Sequence, residues 1–326
     1  MVDGGHGIMV ILTERRDVVH LSKAYSMQQV YISDAGPKVS SAIYGFYRWH
    51  TDVSDPANTM EHVINLCLEL GINTFDHADT YGSYQCEELF GKALSKKSFR
   101  REDVVLFTKA GLVLPHPSQP DVRVKHYNTS KDHIIKSVNA SLKKLQTDYI
   151  DIFLLNHLDP LSDIGETAFT LQRLKESGKI KHIGVVGFSV FQHQLLASAL
   201  RIPIATNHIE LNLLNTAALD NGQVDFIKQR FMRPLATSPL AAGRITNGTD
   251  PQAVKLRAKL EEMAKKYNAD IESVAVAWII KLGALPIIGT NNETRIRNIA
   301  KATEIDLDHQ DWYDLYSTST GQVIES

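Results

Sequence analysis

Short apolar runs alternate with segments of helical spacing along most of the chain. Between residues 58 and 70, Met60, Val63, Ile64, Leu66, Cys67 and Leu70 recur at helical spacing, and Gly71 stops the pattern. That spacing predicts a helix with one buried face. Further helices are expected over 86–94, 130–145, 167–177, 191–200, 219–230, 254–267, 272–282, 293–302 and 309–316. The apolar runs between them read as short buried strands over 38–44, 72–75, 104–107, 149–155, 180–186, 204–206, 233–237 and 285–288. A further strand at 31–32 is separated from Lys38 by the turn signal Asp34-Ala35-Gly36-Pro37. Residues 111–128, with Pro115-His116-Pro117 and Pro120, read as a long loop without structure of its own, a candidate lid.

The alternation makes eight strand-then-helix units, with one extra helix before the last strand. Such regularity predicts an α/β fold with a parallel sheet covered by helices. Eight units in 326 residues argue for a single closed (β/α)8 barrel, with an N-terminal hairpin and extra C-terminal helices. A doubly wound sheet is the alternative, but no G-x-G-x-x-G follows an early strand. The barrel domain is expected over 29–326, with 1–28 an N-terminal extension outside the pattern. Within that extension, Gly4 to Gly7 reads as a cloning remnant and Met9 as a natural start. The apolar run 8–12 follows Asp3 and two glycines and makes a poor signal peptide.

A net charge of −2 gives no general attraction to nucleic acid or an anionic membrane. No stretch approaches the roughly 18 apolar residues of a membrane span. Two cysteines, Cys67 and Cys86, form no disulfide framework and suit a reducing cytoplasm; Cys86 reads as a packed, inert thiol.

The polar residues change the picture. Asp76, Lys109, His157, Gly187, Asn207, Ser238 and Gly289 all fall at carboxyl ends of expected strands. In a barrel those ends share one face, where active sites of this architecture lie. The stretch 71–87 is the densest, running from an apolar strand into Asp76, His77, Asp79, Tyr81 and Tyr84. A tyrosine ordinarily loses its proton only near pH 10. A neighbouring Lys109 would lower that value, Asp76 would hold the lysine charged, and His157 would donate beside a reacting oxygen. Together they suit protonation of a carbonyl oxygen while hydride arrives at its carbon. Other strand ends suit a phosphate-bearing ligand. Ser238 to Arg244, including Leu240 and Gly243, offers backbone N–H groups and a cation for a pyrophosphate. Gly289, Thr290 and Asn291 precede a helix N-terminus, which favours phosphate, and Arg295 in its first turn can pair with a 2′-phosphate.

The sequence resembles the aldo-keto reductases, in a bacterial YdhF-like branch. The matching stretches are G-I-N-T-F-D-H-A-D-T-Y-G-S-Y-Q-C-E at 71, L-F-T-K-A-G at 106, D-H-I-I-K-S at 132 and D-Y-I-D-I-F-L-L-N-H at 148. E-S-G-K-I-K-H-I-G-V at 176, S-P-L-A-A-G-R at 238 and P-I-I-G-T at 286 complete them, so the likeness runs from about residue 30 to the C-terminus. The resemblance implies a metal-free (β/α)8 barrel that reduces aldehydes and ketones with NADPH. It makes Tyr81 the proton donor, Asp76 and Lys109 the groups that tune it, and His157 the residue that orients the carbonyl. NADP(H) is the expected cofactor, with NAD(H) not excluded. Gly45, Phe46 and Tyr47 match a segment that touches cofactor and substrate. The cofactor side also departs from the family. Val186 and Gly187 stand where Ser-Asn usually holds the nicotinamide carboxamide, and Asn207-His208 stands for Asn-Gln. Thr237 replaces a stacking aromatic, and the usual lysine near Gly289 is missing. Each such carboxamide hydrogen bond contributes roughly 0.5–1.5 kcal/mol.

Two other readings compete with the carbonyl reductase. A reductase-fold dinucleotide-binding or redox-sensing protein with weak turnover would fit the replaced nicotinamide-holding residues. A metal hydrolase would use His77, Asp79, His157 and His208, but their spacing does not make a convincing ligand set. The expected partner is a small-molecule carbonyl substrate, and Phe46, Tyr47, Trp49, Tyr81 and Tyr84 suggest an apolar or ring-bearing one. No nucleic acid or membrane is expected as partner, and oligomeric state stays open.

Overall fold

The computed structural model describes residues 27–49 and 54–321. Most of the expected extension 1–28, with its 8–12 run, lies outside the described residues. The strands are β1 Gln29–Tyr31, β2 Lys38–Ser40, β3 Ile43–Gly45, β4 Thr74–Asp76, β5 Val105–Ala110, β6 Leu112–Val113, β7 His126–Tyr127, β8 Ile150–Asn156, β9 Ile180–Val186, β10 Ile204–Glu210, β11 Leu235–Thr237 and β12 Leu285–Ile288. The helices are α1 Pro56–Glu69, α2 Tyr81–Tyr84, α3 Cys86–Ser95, α4 Lys131–Leu145, α5 Ile164–Glu176, α6 Val190–Ala199, α7 Ala217–Asp220, α8 Gln223–Gln229, α9 Arg244–Asn247, α10 Pro251–Lys266, α11 Ile271–Lys281, α12 Glu293–Lys301 and α13 His309–Thr320. Eight strands, β3, β4, β5, β8, β9, β10, β11 and β12, close into a parallel barrel in that order. The expected (β/α)8 barrel is therefore the fold.

The expected strand 38–44 divides in two. Lys38–Ser40 pairs antiparallel with Gln29–Tyr31, and Ile43–Gly45 enters the barrel. The break lies at Ser40, whose hydroxyl donates to Ala42 O at 2.7 Å. The hairpin closes the amino end of the barrel: Arg233 N donates to Ile32 O just before β11. Ile32 and Val39 complete the interior cluster formed with Phe107, Ile152, Leu154, Leu235 and Ile287. The barrel floor is thus sealed by apolar packing, and the polar residues collect at the opposite rim.

Caps explain several boundaries. Asp55 accepts from Asn58 N and precedes Pro56, so α1 starts before the apolar spacing does. Asp250 and Pro251 do the same for α10, whose expected start was 254. The helix expected over 219–230 breaks into α7 and α8 at Gly222, which takes φ 78°. The loop 111–128 is not structureless, because β6 and β7 pair within it as a short antiparallel hairpin. At the C-terminus, α13 docks on α11 through stacked Trp312 and Trp278, each indole N–H donating to the other's carbonyl at 3.0 and 3.1 Å. Among the described residues no helix is long and apolar enough to cross a membrane.

Helices α3 and α4 meet at Gly91. A β-carbon there would stand 2.1 Å from Lys144 O and 2.9 Å from Leu145 C, both backbone atoms. Gly91→Ala therefore destabilises the fold, although alanine is the better helix former by about 1 kcal/mol. Overpacking against a rigid backbone costs on the order of 1–3 kcal/mol, and urea denaturation would read the loss.

Candidate active site

The rim of the barrel is a ring of backbone hydrogen bonds between chain segments leaving neighbouring strands. Phe46 N donates to Asp76 O, His77 N to Phe107 O, and Asp79 N to Lys109 O. His157 N donates to Val186 O and Gly187 N to His208 O. These contacts hold the strand ends at one level and bring Asp76, Lys109, His157 and Gly187 to one face.

Asp76 ends β4 and Lys109 is the penultimate residue of β5. The Lys109 ammonium donates at 2.7 Å to both Asp76 carboxylate oxygens and at 2.7 Å to His77 O. Three donors meet three acceptors, so the ammonium is saturated. Burial pushes the Asp76 carboxyl up and the Lys109 ammonium down, and their mutual attraction opposes both shifts. Lys109 Nζ also lies 4.8 Å from the Tyr81 ring centroid, in cation–π range.

Tyr81 starts a sharp turn in which Gly82, Ser83 and Tyr84 are all left-handed, at φ 54°, 53° and 69°. The Tyr84 hydroxyl fixes that turn to the long loop, donating to Leu114 O and accepting from Leu114 N. The expectation that Lys109 lowers the Tyr81 pKa is corrected. Burial pushes the phenol well above its ordinary value, and Asp76, Tyr47, Cys86 and Asp79 push it the same way. The reason is that the Lys109 charge is matched by Asp76 at contact distance. Tyr81 is consequently held in its protonated, donor form.

A cleft of about 300 Å³ opens beside Tyr81 and Asp76. Gly45, Ser238, Leu240, Gly243, Gly289 and Thr290 line it, as expected, and Arg295 reaches its edge. The Arg295 guanidinium is already held by Glu272, at 2.7 and 2.9 Å. Arg48 also lines the cleft and was not singled out from sequence; a cation three residues beyond a strand-end glycine was the available signal.

Other expected residues lie elsewhere. Phe46 is buried and stacks on His77 at 4.3 Å, so its ring packs the core and does not reach the cleft. Asn207 and His208 are not at a strand end, because β10 runs on to Glu210. Asn207 donates to Phe188 O at 2.9 Å, with its side-chain oxygen buried and unpartnered. His208 is buried, neither ring nitrogen has a partner, and Nε2 lies 3.8 Å from Asp76. Burial, reinforced by Lys109, holds it well below the ordinary imidazole range. Arg244 pairs with Asp250 at 3.1 Å, and Asn291 accepts from the Tyr44 hydroxyl. His157 and Gly187 stand at the rim beyond the cleft, His157 half-buried against Tyr127. Both cysteines are free and buried, with the Cys86 thiol pushed up to about 12. Among the described residues no three His, Cys, Asp or Glu side chains are grouped to hold a metal.

A pair of acids, Asp79 and Glu87, lies near this site, and the sequence reading missed Glu87. Its buried carboxylate accepts from the Thr108 hydroxyl at 2.6 Å. Burial, then Glu87, pushes the Asp79 carboxyl up to about 8. Between the unfolded carboxyl value of about 4 and that folded value, the native state keeps a proton that the unfolded state has lost. Stability from this group therefore falls as pH rises, by at most about 1.4 kcal/mol per pH unit. Asp79→Asn removes the slope, so its urea midpoint gains on that of wild type between about pH 5.5 and about pH 7.5. Parallel midpoints across that interval would contradict the assignment.

The rim geometry agrees with three comparisons. The model of the Aldo/keto reductase family matches residues 43–319. The chain is 36% identical to 6-dehydroglucose reductase of Agrobacterium fabrum over 300 residues, covering 91% of this chain and all of that one. It is 36% identical to oxidoreductase YdhF of Escherichia coli, covering 90% and 98%. Among solved structures, the fold is similar to the glycerol dehydrogenase AKR11B4 of Gluconobacter oxydans, with a TM-score of 0.79 at 22% identity over 93% of this chain and 98% of that one. The aldo-keto reductase Tm1743 gives 0.77 at 24% identity, over 90% and 100%. A match that spans the whole barrel, at this identity to named reductases, has one meaning: the chain belongs to the aldo/keto reductase family of oxidoreductases.

Proposed function

We propose that the protein reduces an aldehyde or ketone with NADP(H), with Tyr81 as the proton donor. The observation that carries this reading is the Asp76–Lys109 pair under the Tyr81 ring at the edge of the cleft. A bound dihydronicotinamide supplies the hydride. Tyr81 gives its hydroxyl proton to the carbonyl oxygen as the carbon is reduced, and an alcohol forms. The phenolate left behind shares its site with the Lys109 ammonium, 4.8 Å from the ring centroid, whose charge Asp76 largely matches. His157 stays a neutral imidazole, because burial and Lys125 hold it below the ordinary value, and so donates one N–H beside the carbonyl.

The cleft residues fit a dinucleotide. Ser238, Ala241, Ala242 and Gly243 are all left-handed, in a tight turn at the cleft that spends Ala241 N on Ser238 O and Gly243 N on Leu240 O. Thr290 lies just before α12, whose N-terminus favours a phosphate. Asn207, the family's usual carboxamide partner, does not line the cleft, and its side-chain oxygen is buried without a partner. Arg295 meets a 2′-phosphate only by leaving Glu272. The relative named as a 6-dehydroglucose reductase supports including a sugar-derived aldehyde among test substrates. The competing reading, a dinucleotide-binding protein with weak turnover, draws on Val186, Gly187 and Thr237.

NADPH-dependent reduction of a panel of aldehydes, diketones and sugar aldehydes tests the proposal. Tyr81→Phe should lower kcat by roughly 10²–10⁴-fold while NADPH still binds. Unchanged turnover in that variant rejects Tyr81, and NADPH binding with no turnover in wild type favours the competing reading. Separately, Glu272→Gln should release Arg295 and tighten NADPH relative to NADH by up to roughly 1 kcal/mol, about fivefold in the ratio of Kd values. Equal effects on both nucleotides would remove Arg295 from 2′-phosphate recognition.

A further inference from the structure

We propose that Gly187 is a positioning residue for His157: the missing side chain at 187 leaves the slot that the imidazole occupies. The inference rests on the reading of His157 as the donor beside the substrate carbonyl.

Strands β8 and β9 pair with Asn156 opposite Val186, so His157 and Gly187 are the next residues out on adjoining strands. Both turn left-handed there, at φ 68° and 67°. That conformation is uncommon for a residue with a side chain. At His157 it is held by the N–H donated to Val186 O at 3.2 Å. Gly187 N donates in turn to His208 O at 2.8 Å, which ties the same level to β10. A β-carbon built on Gly187 would lie 2.5 Å from His157 Cε1 and 2.7 Å from Nδ1. Those separations are far inside van der Waals contact, so any side chain at 187 turns the ring or displaces the end of β8. Tyr127 of the β6–β7 hairpin contacts the same ring, with centroids 5.0 Å apart. The imidazole is therefore bounded by a glycine of the barrel and an aromatic of the long loop, and Lys125 is the nearby charge on that loop. On this account Val186-Gly187 is not simply a lost pair of cofactor ligands. Residue 187 has been given over to His157.

Gly187→Asn is the test, because asparagine tolerates the left-handed backbone and the main change is a side chain in the slot. With ¹³C-labelled histidine, the His157 resonance is assigned by its loss in His157→Gln. In wild type it should titrate below an ordinary imidazole; in Gly187→Asn it should shift and titrate nearer the ordinary value, as a displaced ring gains water. The kinetic arm compares backgrounds. Gly187→Asn should lower kcat about tenfold or more, part of the ~10²–10⁴-fold that a placed donor contributes, and should add nothing to His157→Gln. An unmoved His157 resonance, or an equal loss in both backgrounds, overturns the proposal. If Gly187→Asn fails to fold, adding His157→Ala should restore folding by removing the clash, and no restoration overturns it as well. If wild type reduces no carbonyl, the functional reading falls, and the resonance of His157 still decides the role of Gly187.

Discussion

The interaction on which this molecule depends is the buried ion pair between Lys109 and Asp76. Taking two charges out of water costs several kcal/mol per ion, and the attraction repays it only with full hydrogen bonding. Here the three ammonium protons meet two carboxylate oxygens and one backbone carbonyl, all at 2.7 Å. Register makes that possible. Phe107 lies opposite Asp76 across β4 and β5 and faces the barrel interior. Lys109, two residues on, faces the same way one layer higher. The layer below is apolar, with Phe107, Ile152, Leu154 and Ile287, and it is sealed from beneath by Ile32 and Val39 of the hairpin. Water thus reaches the pair only from the rim.

Much of this was legible in the sequence, for physical reasons. A parallel strand buried on both faces reads as an unbroken apolar run, and its helix reads by spacing, so the eight units and their closure followed from pattern alone. The placement of Asp76, Tyr81 and Lys109 at one rim followed from counting strand ends. Pattern failed where backbone hydrogen bonds decide. The run 38–44 divides because Ser40 bonds to Ala42, and no hydrophobic spacing records that. Strand β10 continues through Asn207 and His208 because the backbones of β9 and β11 pair with it there. Sequence reasoning ended that strand at the first polar side chain.

The electrostatics of the site were the least legible part. A lysine near a tyrosine suggests a lowered phenol pKa, but the effect depends on what else the lysine holds. Once Asp76 and His77 take all three protons, the influences left on Tyr81 are burial first, then Asp76, Tyr47, Cys86 and Asp79. The same accounting explains Phe46. An aromatic after a strand-end glycine suggests a ligand platform, whereas its ring is stacked on His77 and edged by Phe90, deep in the core.

In the proposed reduction these details bear on one charge. Tyr81 begins neutral, with its proton held tightly, and must end as a phenolate at the moment the alcohol forms. A proton held tightly at rest favours the donor form across a wide pH range but raises the cost of releasing it. The offset has to come from a cation already in place, since reorganising one during the reaction would itself cost free energy. Lys109 is the cation in place there, fixed under the ring by its own three bonds, but Asp76 takes up most of its charge, so the offset it gives is partial. Asp79 works in the same direction at neutral pH. With its carboxyl pushed up to about 8 it carries mostly no charge, so it does not oppose the new anion. Above that value it ionises, and a carboxylate near Tyr81 then raises the cost of the proton transfer. The same carboxylate is among the groups that push the Tyr81 phenol up.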